Sequence, residues 1–213
     1  MSEILEIYDL DSKLFKIEDR TFFYSEIKDE FQKKGFISQK VKTIRLILMN
    51  SLGRIYLQKR SKIKTENLGL YDKTVGGHVA AGDSFDITVA RECAEELGFP
   101  AAVVSNEEFE KSIRTTKLDI IGIFRKIDYE PNFISERILK NKTKILQPTM
   151  TAVYIGYYDG PIKFVDGESS GIEVFSLEEI KKEIQKHPKK FTGDIKFMIE
   201  KYHKYLIPMK LVI

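Results

Sequence analysis

The sequence predicts a protein of the α/β class. Residues 42–50 form an apolar run that is typical of a strand, and residues 54–60 return as a second strand after a turn. Residues 85–97 instead repeat apolar side chains at the spacing of a helix. Because strands and helices are mixed along one chain, an α/β fold is indicated. A chain of 213 residues is long enough to bury a sizeable core in one large domain or two small ones.

The first segment, residues 1–38, is predicted to be an N-terminal extension that packs on the same domain, which itself spans residues 39–213. The extension holds a short strand near residues 4–8 and a helix over about residues 22–34. Apolar side chains every four residues, followed by a glycine suited to end a helix, support this helix: Phe23, Ile27, Phe31 and Gly35.

The remaining segments predict a strand-rich middle and a helical C-terminal region. After a polar loop over residues 61–71, we expect strands at 72–79, 118–127, 149–158 and 173–175. The sequence Ser176-Leu-Glu-Glu179 is a capping box, and it predicts a helix that stops before Pro188. A last helix is expected over about residues 194–205.

The connection over residues 128–146 is long for a loop, so we expect it to contain structure or to serve a function. Its apolar side chains at positions 133, 134, 138 and 139 are compatible with a short amphipathic helix. A lid, a dimer contact and a covering element are equally open alternatives. Together with the loop at 61–71, this connection is where substrate choice is expected to reside.

Composition and charge narrow the class of protein. Lysine and arginine number 35 against 32 acidic residues, and they are scattered, so a dedicated nucleic-acid surface is not expected. No apolar run approaches the roughly 20 residues of a membrane span, and the first residues lack the features of a signal peptide. The single cysteine, Cys93, is expected in the core and fits a reducing compartment. We therefore expect a cytoplasmic protein.

The helix at 85–97 carries three carboxylates, at Glu92, Glu95 and Glu96. These spacings place all three on neighbouring turns of one helix face. At about 100° per residue, Glu92 and Glu96 project onto the edge of the apolar stripe, and Glu95 lies farther out. Crowded carboxylates need a compensating cation, and clustered oxygen ligands are preferred by Mg²⁺ or Mn²⁺. On spacing alone, the alternative is a surface helix whose glutamates serve solubility.

The wider motif around this helix, residues 77–99, resembles the Nudix box. Its glycine, arginine and glutamate positions are matched at the required spacings by Gly77, Arg91, Glu92, Glu95, Glu96 and Gly98. One position departs, because Asp83 stands where the family usually has glutamate. The resemblance implies a Nudix-type α/β/α sandwich with a mixed β-sheet, in which the box forms loop, helix and loop.

The same resemblance implies a hydrolase that cleaves a diphosphate linkage, such as a nucleoside diphosphate linked to another group, with Mg²⁺ or Mn²⁺. The substrate would be a small-molecule diphosphate. Glu92 and Glu96 would be the leading metal ligands, and Glu95 would be a third ligand or the base that orients water. The backbone carbonyl of Gly76 would be a further ligand, and Arg91 would brace the catalytic carboxylates.

Flanking segments at 57–61, 75–79 and 175–179 resemble the Nudix branch related to isopentenyl-diphosphate isomerase. The isomerases use a cysteine, three histidine ligands and paired glutamates. The cysteine position corresponds here to Gly76, and only His78 matches a ligand histidine. The paired glutamates fall near residues that are neutral in this chain, Gln147 and Thr149. Isomerase activity is therefore the least expected alternative.

Three residues near the expected site are candidates for substrate binding: Lys59, Arg60 and His78. Each has a plainer alternative, since strand-end cations are usually solvated and a strand-end histidine is usually packed. Glu168 is a candidate general base outside the box.

One alternative function stays open, namely a Nudix fold kept as a ligand-binding module with weak or no turnover. The oligomeric state is also open, and a homodimer is possible because many relatives are dimers.

Overall fold

Strands and helices alternate along residues 3–163 and 169–209, which are the residues that the computed structural model describes. The strands are β1 (Ile4–Asp9), β2 (Leu14–Asp19), β3 (Gln39–Met49), β4 (Ile55–Arg60), β5 (Tyr71–Asp72), β6 (Ala101–Val103), β7 (Gly122–Ile138), β8 (Lys144–Tyr157) and β9 (Ser169–Phe175). The helices are α1 (Arg20–Lys34), α2 (Phe85–Leu97), α3 (Asn106–Thr115), α4 (Leu177–Lys186) and α5 (Gly193–Tyr202). Short 3₁₀ turns at Pro188–Lys190 and His203–Tyr205 flank α5.

The strands of the described residues belong to one mixed sheet. Six of them follow the order β2-β1-β3-β8-β7-β6, and β4 pairs with β3, β5 and β9. β3 and β8 run parallel at the centre, with Val41 opposite Thr149 and Met49 opposite Tyr157. β3 and β4 are antiparallel, which confirms the predicted hairpin.

Helices cover both faces of this sheet. Successive residues of β3 point to opposite faces, so Ile47 and Met49 join one apolar cluster while Leu46 and Leu48 join another. The first cluster includes side chains of α3, α4 and α5, and the second includes side chains of α2. This layering confirms the predicted α/β/α sandwich with a mixed β-sheet.

The N-terminal segment contributes to the central sheet through β1, which pairs with β3 by placing Ile7 opposite Val41. The predicted strand and helix are both present, as β1 and α1. Phe23 and Ile27 of α1 are buried in a third apolar cluster that also contains Ile7 and Val41. The sequence does not predict β2, whose six residues follow a tight turn with a positive φ at Ser12.

Residues 128–146 contain structure, as expected, but they form neither a long connection nor a short helix. In place of a loop or a short helix, β7 and β8 continue as an antiparallel hairpin up to the pair Ile138 and Lys144. The register shifts between Lys126 and Asp128 and again between Glu130 and Phe133. Such bulges interrupt the two-residue alternation that identifies a strand in a sequence, so the pattern here resembles irregular structure.

The predicted strand at 72–79 is also wrong as a continuous element. Regular pairing ends at Asp72, and the chain then meets β3 only at isolated bridges from Val75 and His78. The backbone nitrogen of Ile44 donates to the carbonyl oxygen of Gly77 at 2.9 Å, so β3 still holds this segment in place. The sequence likewise does not predict the short strand β6 or the helix α3.

No helix among the described residues is long and apolar enough to span a membrane.

Candidate active site

Helix α2 is positioned by local signals and by one apolar face. The Ser84 side chain accepts from the backbone nitrogen of Ile87 at 3.2 Å, and Gly98 ends the helix in the left-handed conformation. Because the apolar face packs on the sheet, Glu92 and Glu96 lie at its buried edge with 8% and 6% exposure. The side chain of Glu95 is 59% exposed. This burial confirms the helical projection.

The glycine pair before α2 allows a close approach of backbone and side chains. A Cβ atom at Gly77 would clash with the carboxylate of Glu92, and one at Gly76 would clash with the side chain of Lys73. Neither glycine has a positive φ. Glycine is therefore needed at both positions because there is no room for a Cβ atom, and not because of the backbone conformation. Gly77 therefore permits the observed position of Glu92.

Replacing Gly77 with alanine is expected to displace the Glu92 carboxylate and to lower kcat by roughly 10²-fold, the cost of a small misplacement of a catalytic group. The measurement is steady-state kinetics with thermal unfolding of the same variant. Gly35→Ala is the control, since Gly35 has a φ of 77° and open space, so that variant strains the backbone away from the site. Wild-type kcat in Gly77→Ala would contradict this role.

The three glutamates of α2 line a cavity of about 610 Å³. Its remaining walls come from the glycine pair and the residues just before it, from β3, β4 and the loop after it, from β5, β7 and α5, and from the N-terminal segment. Charged and polar side chains dominate, and the described lining contains no Phe, Tyr or large aliphatic side chain. The cations of the lining are Arg20, Arg45, Arg60, Lys64, Lys73, Arg91 and Arg137. An acidic helix thus faces a cavity that is otherwise rich in positive charge.

Arg91 connects the acidic helix to the turn before it. Its guanidinium lies 3.2 Å from the carboxylates of both Glu92 and Glu95, and it donates to the carbonyl oxygen of His78 at 3.1 Å. A further contact at 3.5 Å reaches Glu3. Burial alone would lower the pKa of Arg91, but the charges of Glu92 and Glu95 raise it. Arg91 therefore stays charged and holds both carboxylates in place.

A buried charge network lies beside the glycine pair. The Nε atom of Arg45 donates to Asp194 at 2.8 Å, and the Nζ atom of Lys73 donates to Asp194 at 3.2 Å and to Asp72 at 3.1 Å. The hydroxyl of Thr192 donates to Asp72 at 2.8 Å. Sequence reasoning does not find this network, because its members are separated by up to 149 positions and belong to no motif.

The candidates for substrate binding lie in different places. Arg60 lines the cavity and contacts Asp72 at 3.4 Å. The preceding residue of β4, Lys59, points to the other face of the strand. Its Nζ atom lies 5.4 Å from the ring centre of Tyr71, and Lys59 is not among the lining residues described. The structure therefore does not bring Lys59 to the cavity. Glu168 lies outside the described residues.

His78 lines the cavity but is packed and hydrogen-bonded. Its Nε2 atom lies 2.7 Å from the hydroxyl of Tyr24, and its exposure is 8%. Burial lowers the pKa of His78 well below its usual range, and the charges of Arg20 and Arg137 lower it further. His78 is therefore neutral near pH 7 and can offer a substrate a hydrogen bond but not a positive charge.

The donor set only partly fits a hard divalent cation. Glu92, Glu96 and the backbone of Gly76 line the same cavity, and carboxylate and carbonyl oxygens are the ligands that Mg²⁺ prefers. Glu92 and Glu95 both contact Arg91, and among the described residues no three acidic, histidine or cysteine groups converge into a metal cluster. Glu96, Gly76 and Glu92 lie on the cavity wall where they could hold such an ion, whereas the exposed Glu95 would have to turn away from Arg91 to join them.

Comparisons with known proteins agree with this arrangement. The model of the NUDIX domain matches residues 39–195. An uncharacterised Nudix hydrolase of Nostoc sp. is 26% identical over 135 residues, which cover 62% of this chain and 73% of that protein. Isopentenyl-diphosphate Delta-isomerase of Serratia proteamaculans is 21% identical over 192 residues, or 90% of this chain and 87% of the enzyme. Other relatives share only a segment of about a third of their own length.

Solved structures show the same fold. The crystal structure of DR0079 from Deinococcus radiodurans superposes with a TM-score of 0.61 and 18% identity, covering 93% of this chain and 98% of that one. The matched family model extends over most of the chain and includes the glycine pair, α2 and the start of α5. The chain therefore belongs to the NUDIX domain family, and its relatives include both Nudix hydrolases and isopentenyl-diphosphate isomerases.

Proposed function

We propose that this protein is a metal-dependent hydrolase that cleaves the diphosphate linkage of a small molecule. The observation that carries the proposal is the pair of buried carboxylates, Glu92 and Glu96, at the wall of a cavity rich in cations. Burying two carboxylates is costly unless something compensates their charge. Arg91 already offsets part of this charge at Glu92, and a bound divalent cation would bind both carboxylates directly.

The basic walls of the cavity would bind and orient the diphosphate. Guanidinium groups match phosphate oxygens in geometry and charge, and Arg60 reaches the cavity from β4. Glu92, Glu96 and the carbonyl of Gly76 would hold Mg²⁺ or Mn²⁺. Such an ion, when bound, neutralises phosphate charge and makes water more acidic.

The carboxylate that takes up the proton from water is proposed to be Glu95, with Glu92 as the alternative. Glu95 lies at the cavity rim with its side chain 59% exposed, so water reaches it directly. Arg91 contacts both Glu92 and Glu95 and would keep each carboxylate correctly oriented. Arg91 therefore acts here as a positioning residue.

Two observations favour hydrolysis over isomerisation. The position that corresponds to the isomerase cysteine is Gly76, and the side chain of Lys73 fills the space where a side chain at 76 would lie. The positions near the paired isomerase glutamates are the neutral and fully buried Gln147 and Thr149. Neither position offers a group that could move a proton on an allylic carbon.

A pure ligand-binding module would have no need of the buried glutamate pair. A cytoplasmic location is part of the same proposal.

The test is a panel of nucleoside triphosphates, nucleotide sugars, dinucleotides, coenzyme A and prenyl diphosphates, incubated with Mg²⁺, with Mn²⁺ or with EDTA. Products are identified by phosphorus NMR and anion-exchange chromatography. We expect cleavage within the diphosphate that depends on the metal. Tight binding without turnover would favour the binding-module alternative. An isomerised prenyl diphosphate would overturn the hydrolase assignment.

A further inference from the structure

A second opening, here called the basic recess, joins the main cavity on the side of α1. It has a volume of about 510 Å³ and shares five lining residues with the main cavity: Glu3, Arg20, Arg60, Lys64 and Arg137. Its cations come from α1, from β4 and the loop after it, and from β7. They are Arg20, Lys28, Arg60, Lys64 and Arg137.

The recess carries an excess of positive charge. Its described lining contains only two carboxylates, of which Glu3 lies 3.1 Å from Arg20 and Glu66 lies 2.6 Å from Arg137. Arg60 also contacts Asp72, but Asp72 and Asp194 are already balanced by Lys73 and Arg45 in the buried network. With Lys64 left out of the count, four cations of the described lining still face two carboxylates, so the opening would attract an anionic ligand.

The donors of the recess suit a phosphate group. The guanidinium groups of Arg137 and Arg20 lie 5.5 Å and 6.0 Å from the ring centre of Tyr24. Cation–π contacts with this ring therefore help to hold both cations in place. The Nε atom of Arg137 is buried and has no hydrogen-bond partner among the described residues. Hydroxyl donors of Thr21, Tyr24 and Thr65 line the same opening. Planar guanidinium groups with hydroxyls beside them are a typical phosphate environment.

The main cavity gives little support to an apolar substrate group. Its described lining has no Phe, Tyr or large aliphatic side chain against which a prenyl chain could pack. The extension of the cavity towards α1 is instead basic. The part of the substrate beyond the diphosphate should therefore be polar and negatively charged.

We propose that the basic recess binds a phosphomonoester of the substrate, so that the enzyme selects organic diphosphates that carry a further phosphate group. This inference rests on the proposed diphosphate hydrolysis, which supplies the reaction at the neighbouring glutamates. The oxygen of water forms a bond to one phosphorus of the diphosphate and gives a proton to the carboxylate proposed as the base, Glu95. The bridging P–O bond breaks, and its electron pair leaves with the oxygen of the other phosphate. The additional phosphate stays intact and serves as an anchor.

Matched substrates that differ by one phosphate test the proposal. NADP⁺ and NAD⁺ form one such pair, and coenzyme A and dephospho-coenzyme A form another. We expect kcat/KM to be higher for the phosphorylated member by about tenfold or more, the effect of a charge-assisted contact. In Lys28→Glu this preference should fall by about tenfold, because a cation of the recess becomes an anion. Lys33→Glu is the matched control, since Lys33 is an exposed lysine of the same helix outside the recess.

Binding without turnover separates this proposal from the proposed function. Calorimetry in EDTA compares NADP⁺ with NAD⁺ on the wild type, Lys28→Glu and Lys33→Glu. Tighter binding of NADP⁺ that only Lys28→Glu removes supports the recess even if no compound is hydrolysed, which would then overturn the hydrolase proposal alone. Equal binding and equal hydrolysis of both members of each pair would overturn the recess proposal and leave the hydrolase intact.

Discussion

Replacing Glu96 with glutamine is expected to lower kcat by about a thousandfold, comparable to the removal of one stabilising charge or donor from an enzyme active site. Glutamine keeps the size of the side chain and its contact with Gln58, which lies 3.4 Å away, but it removes the negative charge. Glu96 is only 6% exposed, so little water is available to take the place of its carboxylate at the proposed metal ion. Glu92→Gln should behave in the same way. Steady-state kinetics with Mg²⁺ and with Mn²⁺ measure both.

Stability separates a chemical loss from a structural one. Glu92 and Glu96 lie one helical turn apart, so removal of one charge relieves repulsion in the metal-free protein, and the thermal midpoint should stay the same or rise. Glu178→Gln is a suitable control, since Glu178 lies in the first turn of α4 outside the cavity. Retention of more than a tenth of the wild-type kcat in Glu96→Gln would remove this residue from the catalytic set. Unfolding of the variant would show that the pair is structural.

Features encoded by neighbouring residues could be predicted from the sequence. The position of α2, predicted over residues 85–97, and the burial of Glu92 and Glu96 both follow from local spacing. The capping box at Ser176 correctly predicts the start of α4. Each of these signals lies within one or two turns of the chain, so no knowledge of distant contacts is needed.

Features that depend on pairing between distant residues could not be predicted in the same way. The β7–β8 hairpin contains two register shifts, and these hide its alternation in the sequence. Strand β5 is short because its segment pairs with β4 over only two residues. A strand whose length is set by its partner carries no length signal of its own.

The residues of the candidate site also fall into those that local spacing predicts and those that only the folded chain brings together. The glutamates and Arg91 are found because one helix carries them all. Arg137 and Lys28 reach the basic recess from β7 and α1, and Asp194 reaches the buried network from α5. In the sequence, each of these is an ordinary charged residue among many. Their approach to the box is a consequence of sheet order and helix packing, which place β3, β7 and α1 around one opening.

Replacing Asp194 with asparagine is expected to destabilise the protein by about 3–5 kcal/mol, the typical cost of removing one partner from a buried ion pair. Asp194 is 4% exposed and accepts from Arg45 and Lys73, and its carboxylate also accepts from the hydroxyl of Ser135. Without its charge, two buried cations would share the single charge of Asp72. The thermal midpoint should fall by roughly 10 °C for a chain of this size.

The destabilisation should also depend on pH. Burial alone would raise the pKa of Asp194, but the charges of Arg45, Lys73 and Arg137 outweigh it and hold that pKa well below its usual range. In the unfolded chain the same carboxyl titrates near pH 3.9. The contribution of Asp194 to the free energy of unfolding is therefore complete above about pH 5. It is lost as the pH falls below about 4, where the unfolded state binds a proton at this carboxyl and the folded state does not.

The difference in unfolding free energy between wild type and Asp194→Asn should therefore be constant from pH 5 to pH 8 and narrow towards pH 3, as measured by urea denaturation at each pH. Asp29→Asn, at an exposed position of α1, should show almost no difference at any pH. A difference at pH 7 below about 1 kcal/mol would mean that Arg45 and Lys73 are compensated by water or by Asp72 alone. A difference that did not narrow in acid would mean that packing, and not charge, is what Asp194 contributes.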